Sequence, residues 1–167
     1  MIFADKDEAR RAYESNRCDS YTGDASQLAA IRAAFADPKA HALLPDRISK
    51  EPYAPAVKQG DDQWFDIVRY TIYGLVEAEE LGITRANADR MLAESPSPAV
   101  QRLLGRTGDL GPAVGLDRSW ILNALKAVGN YGEIYDRHLG KDSVVKLDRG
   151  LNELWSRGGL MISPPMR

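Results

Sequence analysis

Cys18 is the only cysteine in this 167-residue chain, so no intrachain disulfide can form. The two histidines, His41 and His138, stand far apart and lack metal-ligand spacing. Surface or packing roles are expected for both, and no metal site. An excess of charge of one sign is also lacking. A formal net charge of −2 and a sequence pI of about 5.7 leave no field to draw the chain to nucleic acid or anionic lipid. No apolar run approaches the roughly 20 residues that a membrane span requires, so membrane contact is expected only through a partner. Ser26, Ser49 and Ser119 sit in no motif that makes a serine nucleophilic. Gly108-Asp-Leu-Gly111 and Gly129-Asn-Tyr-Gly132 fit neither a phosphate loop nor a dinucleotide fingerprint. Neither cofactor nor catalytic constellation is expected, and no internal repeat or low-complexity tract breaks the chain.

What remains is a chain of one-domain length able to bury a real core. Lys6 to Asn16 carries Ala9, Ala12 and Tyr13 at helical spacing, and Cys18 to Thr22 is strand-compatible, ending at Gly23. Asp24 opens a second helix as its N-cap, with Gln27 placed as the reciprocal partner of a capping box. Leu28, Ile31 and Phe35 form the apolar stripe of that helix, and Asp37-Pro38 ends it. His41 to Leu44 reads as a short strand. Ile48 to Val57 continues extended, and Pro52 and Pro55 assign it to an edge or hinge.

Beyond Val68 the pattern is helical. Asp61 or Asp62 caps a helix to about Leu81, with Trp64, Val68, Ile72 and Leu75 on one face and Glu77, Glu79 and Glu80 near its exposed end. Thr84 to Ala93 and Pro98 to Leu104 read as shorter helices either side of Ser95-Pro-Ser-Pro98. A glycine-rich loop spans Gly105 to Gly115. The last long helix starts near Asp117 and carries Ile121, Leu125, Val128 and Tyr135; Gly129 and Gly132 inside it imply close approach of another backbone. A final helix is expected near Asp148 to Ser156, and Gly158-Gly159 leads into a tail with Pro164-Pro165. Trp64, Trp120 and Trp155 occupy apolar helical positions and are expected in the core, while Arg10-Arg11 reads as a solvated helix face.

Several strings in one order carry more information than any single motif. Cys18-Asp-Ser-Tyr-Thr-Gly-Asp24, Leu44-Pro-Asp-Arg-Ile-Ser-Lys-Glu-Pro52 and Gly60-Asp-Asp-Gln-Trp-Phe-Asp-Ile-Val68 are followed by Val128-Gly-Asn-Tyr-Gly-Glu133 and Arg149-Gly-Leu-Asn-Glu-Leu-Trp155. Together they resemble the type II periplasmic amino-acid-binding proteins (family 3) of ABC importers, in particular the general, polar L-amino-acid-binding subgroup, along essentially the whole chain.

The resemblance implies a helix-rich α/β chain, part of a periplasmic-binding-protein-like II fold. Residues 1–44 would supply the end of lobe two, 45–52 the returning hinge segment, and 53–167 the C-terminal part of lobe one with a helical extension. Family members are roughly twice as long and start with a secretory signal. Met1-Ile2-Phe3 falls inside what would be a late strand of lobe two, with no signal pattern before it, so a truncated binding component is expected. Its compartment would be periplasmic by resemblance, its partners an L-amino acid and an inner-membrane ABC permease. In this role Asp24 pairs with the ligand α-ammonium, since a carboxylate accepts charge-assisted bonds from an ammonium group; residues alone also allow it to be a helix cap. Thr22, Gly23 and Ser26 would line the same cleft, with Gly23 standing where the family leads one to expect Thr or Ser. The chain alone is expected to bind a free amino acid weakly or not at all, because an arginine holding the α-carboxylate belongs to the early part of lobe one. Cys18 reads either as a small buried hydrophobe or, by resemblance, as half of a disulfide whose partner lies earlier in lobe two. Two alternatives stay open: a dehydratase on the same fold, and a non-binding remnant that pairs with itself as a homodimer or with another polypeptide.

Overall fold

The computed structural model describes residues 2–166, which divide into two units between Glu51 and Pro52. In the first, α1 spans Lys6–Glu14 and is capped by Asp5, whose carboxylate accepts from the Glu8 amide at 2.8 Å. That bond holds the Asp5 carboxyl below its ordinary range. Asn16 ends the helix in the left-handed region at φ 57°, so that Asn16 N–H reaches Tyr13 O at 3.0 Å and Arg17 N–H reaches Ala12 O at 2.9 Å. This is a Schellman closure with asparagine in the usual glycine position. α2 spans Ala25–Ala33, and Pro38–Ala40 forms a 3-10 turn behind it.

Tyr13 ties this unit together. Its ring lies 5.9 Å from Phe35 and 6.2 Å from Tyr21, and its hydroxyl lies 2.8 Å from His41 Nδ1. His41 therefore takes the packing role expected of it.

The strand expectations for Cys18–Thr22 and His41–Leu44 are not met: both are irregular, and Ile48–Val57 enters no ladder either. Among the described residues the one β-bridge joins Leu154 to Met161. β-Propensity reflects fit to a pleated surface shared with neighbours, and these segments have no neighbouring strand here.

The second unit is built from α3 (Asp62–Glu80), α4 (Ala88–Glu94), α5 (Pro98–Leu103), α6 (Leu110–Ala113), α7 (Trp120–Val128) and α8 (Tyr131–His138). Asp61 caps α3, accepting from Trp64 N–H at 3.0 Å. α3 packs on α8, α7 and α5, with Leu75, Ala78, Val100, Leu103, Ile121 and Leu125 all buried in the core, while α4 packs on α7 and α5. Of the tryptophans only Trp120 is core; Trp64 and Trp155 are 51% and 56% exposed, contrary to expectation. Among the described residues no helix is long and apolar enough to cross a membrane.

Three further expectations are corrected. The single long helix after Asp117 is two helices, because Gly129 takes φ +82° and Asn130 starts α8 with a full capping box. Asn130 Oδ1 accepts from Glu133 N–H and Glu133 Oε2 accepts from Asn130 N–H, each at 2.9 Å, while Asn130 Nδ2 donates to Ile83 O at 2.8 Å. The Gly105–Gly115 loop contains α6. The helix expected at Asp148–Ser156 is replaced by 3-10 turns at Gly150–Asn152 and Trp155–Arg157, since Gly150 is left-handed at φ +51° and Leu154 turns inward to bridge Met161. The tail does not leave the surface: Ser163 N–H donates to Glu80 at 3.0 Å, Met166 N–H to Glu77 at 3.3 Å, and the Met166 side chain is buried.

Candidate functional site

Asp24 stands at the N-cap of α2 with extended backbone (φ −61°, ψ 137°), and its carbonyl accepts from Leu28 N–H at 2.8 Å. Its side chain makes no capping bond. The capping box with Gln27 is therefore absent, and the half-buried carboxylate keeps its acceptor capacity. No side chain caps the first turn of α2, so its leading N–H groups also remain available, at the positive end of the helix. A carboxylate beside uncapped amides presents both signs within one turn, which suits a zwitterion.

Thr22 and Gly23 are exposed and Ser26 is half-buried, so the chain itself brings the four predicted residues together at the start of α2. A Cβ on Gly23 would lie 3.5 Å from Leu28 Cδ2, ordinary van der Waals contact. The missing hydroxyl at this position is not enforced by crowding. Cys18 is half-buried with a free thiol. No group of three His, Cys, Asp or Glu among the described residues could hold a metal ion.

The second unit contains a charged cluster that the sequence reading placed at an exposed helix end. Glu79 is instead buried, and both guanidinium η-nitrogens of Arg149 reach its carboxylate, Nη2 to Oε2 at 3.1 Å. Arg149 Nη1 also pairs with Glu153 at 3.0 Å, and Nε and Nη2 donate to Asn152 O at 3.2 and 2.9 Å. The guanidinium lies 5.5 Å from the Tyr131 ring centroid and 5.7 Å from that of Tyr135. Burial works against its charge, but Glu79 and Glu153 outweigh burial and raise its pKa. A cleft of about 470 Å³ opens here, lined by Glu79, Glu133, Asp136, Arg149, Glu153 and Arg157 among others. With every N–H of Arg149 spent on protein acceptors, the cluster is a brace between α3 and the 149–153 turn rather than a ligand clamp. Glu79 and Arg149 are 70 positions apart, so no local pattern announces the pair.

No family model matches the chain. Over its whole length it is 49% identical to the general L-amino acid-binding periplasmic protein AapJ of Rhizobium johnstonii, covering 49% of that protein. It is 46% identical to the glutamate/glutamine/aspartate/asparagine-binding protein BztA of Rhodobacter capsulatus, over 98% of this chain and 48% of that one. A solved ABC transporter/periplasmic binding protein from Brucella ovis, with glutathione bound, superposes with a TM-score of 0.91 at 46% identity, over all of this chain and 52% of that one. The chain is homologous to the amino-acid-binding periplasmic proteins of ABC transporters. It spans about half the length of the curated relatives it matches. Their names are those of binding proteins rather than enzymes, and the shared fold is that of a periplasmic binding protein, here in a helix-rich portion.

Proposed function

We propose that this chain is part of the periplasmic amino-acid-binding component of an ABC import system, with Asp24 as the carboxylate that receives the ligand α-ammonium. The supporting observation is the state of Asp24 within a chain-long match to amino-acid-binding relatives: it stands at the α2 N-cap yet does not cap the helix. Thr22, Gly23 and Ser26 form the adjoining wall, and the leading amides of α2 face the ligand carboxyl side. In the complete family fold, residues 1–44 belong to lobe two, 45–52 to the returning hinge and 53–167 to lobe one. Separation of the units at Glu51–Pro52 supports that division. Cys18–Thr22 and His41–Leu44 become strands there, restoring the α/β character, and an inner-membrane permease receives the ligand.

The test joins this chain to the part of AapJ outside the match and titrates the purified protein with L-glutamate and other L-amino acids by calorimetry. Asp24→Asn is expected to weaken binding by roughly 2 kcal/mol or more, because the ammonium is desolvated without its counter-charge. At about 1.4 kcal/mol per tenfold, this is at least a twenty- to thirtyfold rise in Kd. Unchanged affinity would remove Asp24 from the site.

A further inference from the structure

Gly23 is a glycine that its own surroundings do not require. Its φ lies outside the left-handed region, and a Cβ there would meet only Leu28, with Cδ2 at 3.5 Å, an ordinary contact. The local fold therefore tolerates a side chain at this position, yet the position is bare, exposed and directly before Asp24. A remaining use for glycine is to let a ligand approach the backbone closely.

Gln27 is the second unexplained residue in this turn. It occupies the third position of α2, from which a glutamine ordinarily reaches back to the N-cap amide, but that capping box is not made. Residues three apart are neighbours on a helix surface, so Gln27 stands beside Asp24. Its half-buried amide makes no hydrogen bond with the described residues, and its N–H groups and carbonyl oxygen all remain available. The turn thus pairs a free carboxylate with a free amide next to a bare stretch of backbone.

We infer that Gly23 and Gln27 select the ligand's side chain: the bare backbone at Gly23 gives it room, and the Gln27 amide bonds its polar end. The inference rests on the proposed role of Asp24 in receiving the ligand α-ammonium. An amino-acid side chain leaves the same carbon as that ammonium group, so a ligand held by Asp24 carries its side chain past the residues flanking the carboxylate. A neutral amide donates to a carboxylate, and it both donates to and accepts from a carboxamide. It therefore serves L-glutamate and L-glutamine alike, whereas a charged residue in its place would favour one over the other.

The test titrates the joined protein described above with L-glutamate, L-glutamine and L-alanine by calorimetry. Relative to L-glutamine, L-glutamate should bind at least about tenfold more weakly in Gln27→Glu and about threefold or more tightly in Gln27→Lys, because the new charge repels or attracts its terminal carboxylate. Relative to L-alanine, both longer ligands should lose about fivefold or more in Gly23→Val, whose side chain occupies the room they need. Ratios taken within one variant cancel any loss of folded protein, so a less stable variant still reports. A glutamate-to-glutamine ratio unmoved in both Gln27 variants, or an equal loss of all three ligands in Gly23→Val, overturns the inference. Failure of the unsubstituted protein to bind any of the three overturns the inference and the proposed function together. A ratio that moves in the Gln27 variants while Asp24→Asn binds unchanged keeps Gln27 at the ligand and removes Asp24 alone.

Discussion

Replacing Arg149 by methionine should be among the most damaging single changes in the second unit. The Glu79 side chain is 7% exposed and that of Arg149 13%, so the substitution leaves a carboxylate in the interior without its bidentate partner. Arg157 lies 3.8 Å from Glu79 through one nitrogen and is 59% exposed, too solvated to substitute. Breaking a buried pair by deleting one member costs about 3–5 kcal/mol. Methionine retains much of the apolar stem against Tyr131 and Tyr135, which confines the loss to the charge and its hydrogen bonds. A domain holds about 5–15 kcal/mol in all, so roughly a fifth or more of the stability is at stake. With a urea slope of about 1–3 kcal/mol/M, the unfolding midpoint should fall by roughly 2 M. The reverse deletion is milder: in Glu79→Gln the amide oxygen still accepts one bond and Arg149 keeps Glu153 and the Asn152 carbonyl, for a cost of about 1–2 kcal/mol. The double variant should be less destabilised than the sum of the two, by about 0.5–3 kcal/mol. Urea titrations followed by circular dichroism measure all three. An Arg149→Met cost below about 1 kcal/mol, or a larger cost for Glu79→Gln, would refute the assignment of this cluster as a brace.

Gly132→Ala should destabilise the chain despite the gain of up to about 1 kcal/mol that alanine brings to a helix. A Cβ at this position would stand 2.7 Å from Glu79 Oε1 and 3.0 Å from Arg149 Nη1, so the braced pair must shift, at about 1–3 kcal/mol; a raised melting temperature would contradict this. Glu77→Gln should raise the urea midpoint at neutral pH. Burial pushes the Glu77 carboxyl up, so the folded state prefers the protonated form; that preference stabilises below the ordinary value of 4.5 and is lost as pH rises through the raised pKa. The gain from glutamine, which keeps an acceptor for Met166 N–H, should therefore shrink to nothing as pH falls below 4.5, and a pH-independent gain would show that ionisation of Glu77 is not its source.

The helical framework was legible because its signals are local. Asp61 before an apolar-periodic run sets the start of α3 through a bond to the amide three residues on, and Pro98 suits the first turn of α5 through its fixed φ, whereas the start of α8 at Asn130 was missed inside one long apolar pattern. What was not legible depended on distant partners. The Gly132 notch is occupied by the tips of Glu79 and Arg149, not by the neighbouring backbone that a glycine in a helix suggests. The three carboxylates at the end of α3 look solvated in sequence, yet Glu77 and Glu80 receive the tail amides and Glu79 receives Arg149. The candidate site was legible as a run, Thr22 to Ser26, because all its members belong to one turn; the freedom of Asp24 from its cap was not.

These failures have a common physical origin in the difference between helices and sheets. A helix satisfies its backbone within the segment, so α1 to α8 form from what the chain carries and need a neighbour only to cover their apolar faces. A strand satisfies its backbone only through another strand, however favourable its sequence. Cys18–Thr22 and His41–Leu44 have the composition of strands and remain irregular, while α3 keeps its helical geometry even where Trp64 and Phe65 are exposed and Val68 and Ile72 only half-buried. The same deficiency therefore leaves two different signatures in one chain: lost secondary structure where the design is β, and unpaired apolar surface where it is α.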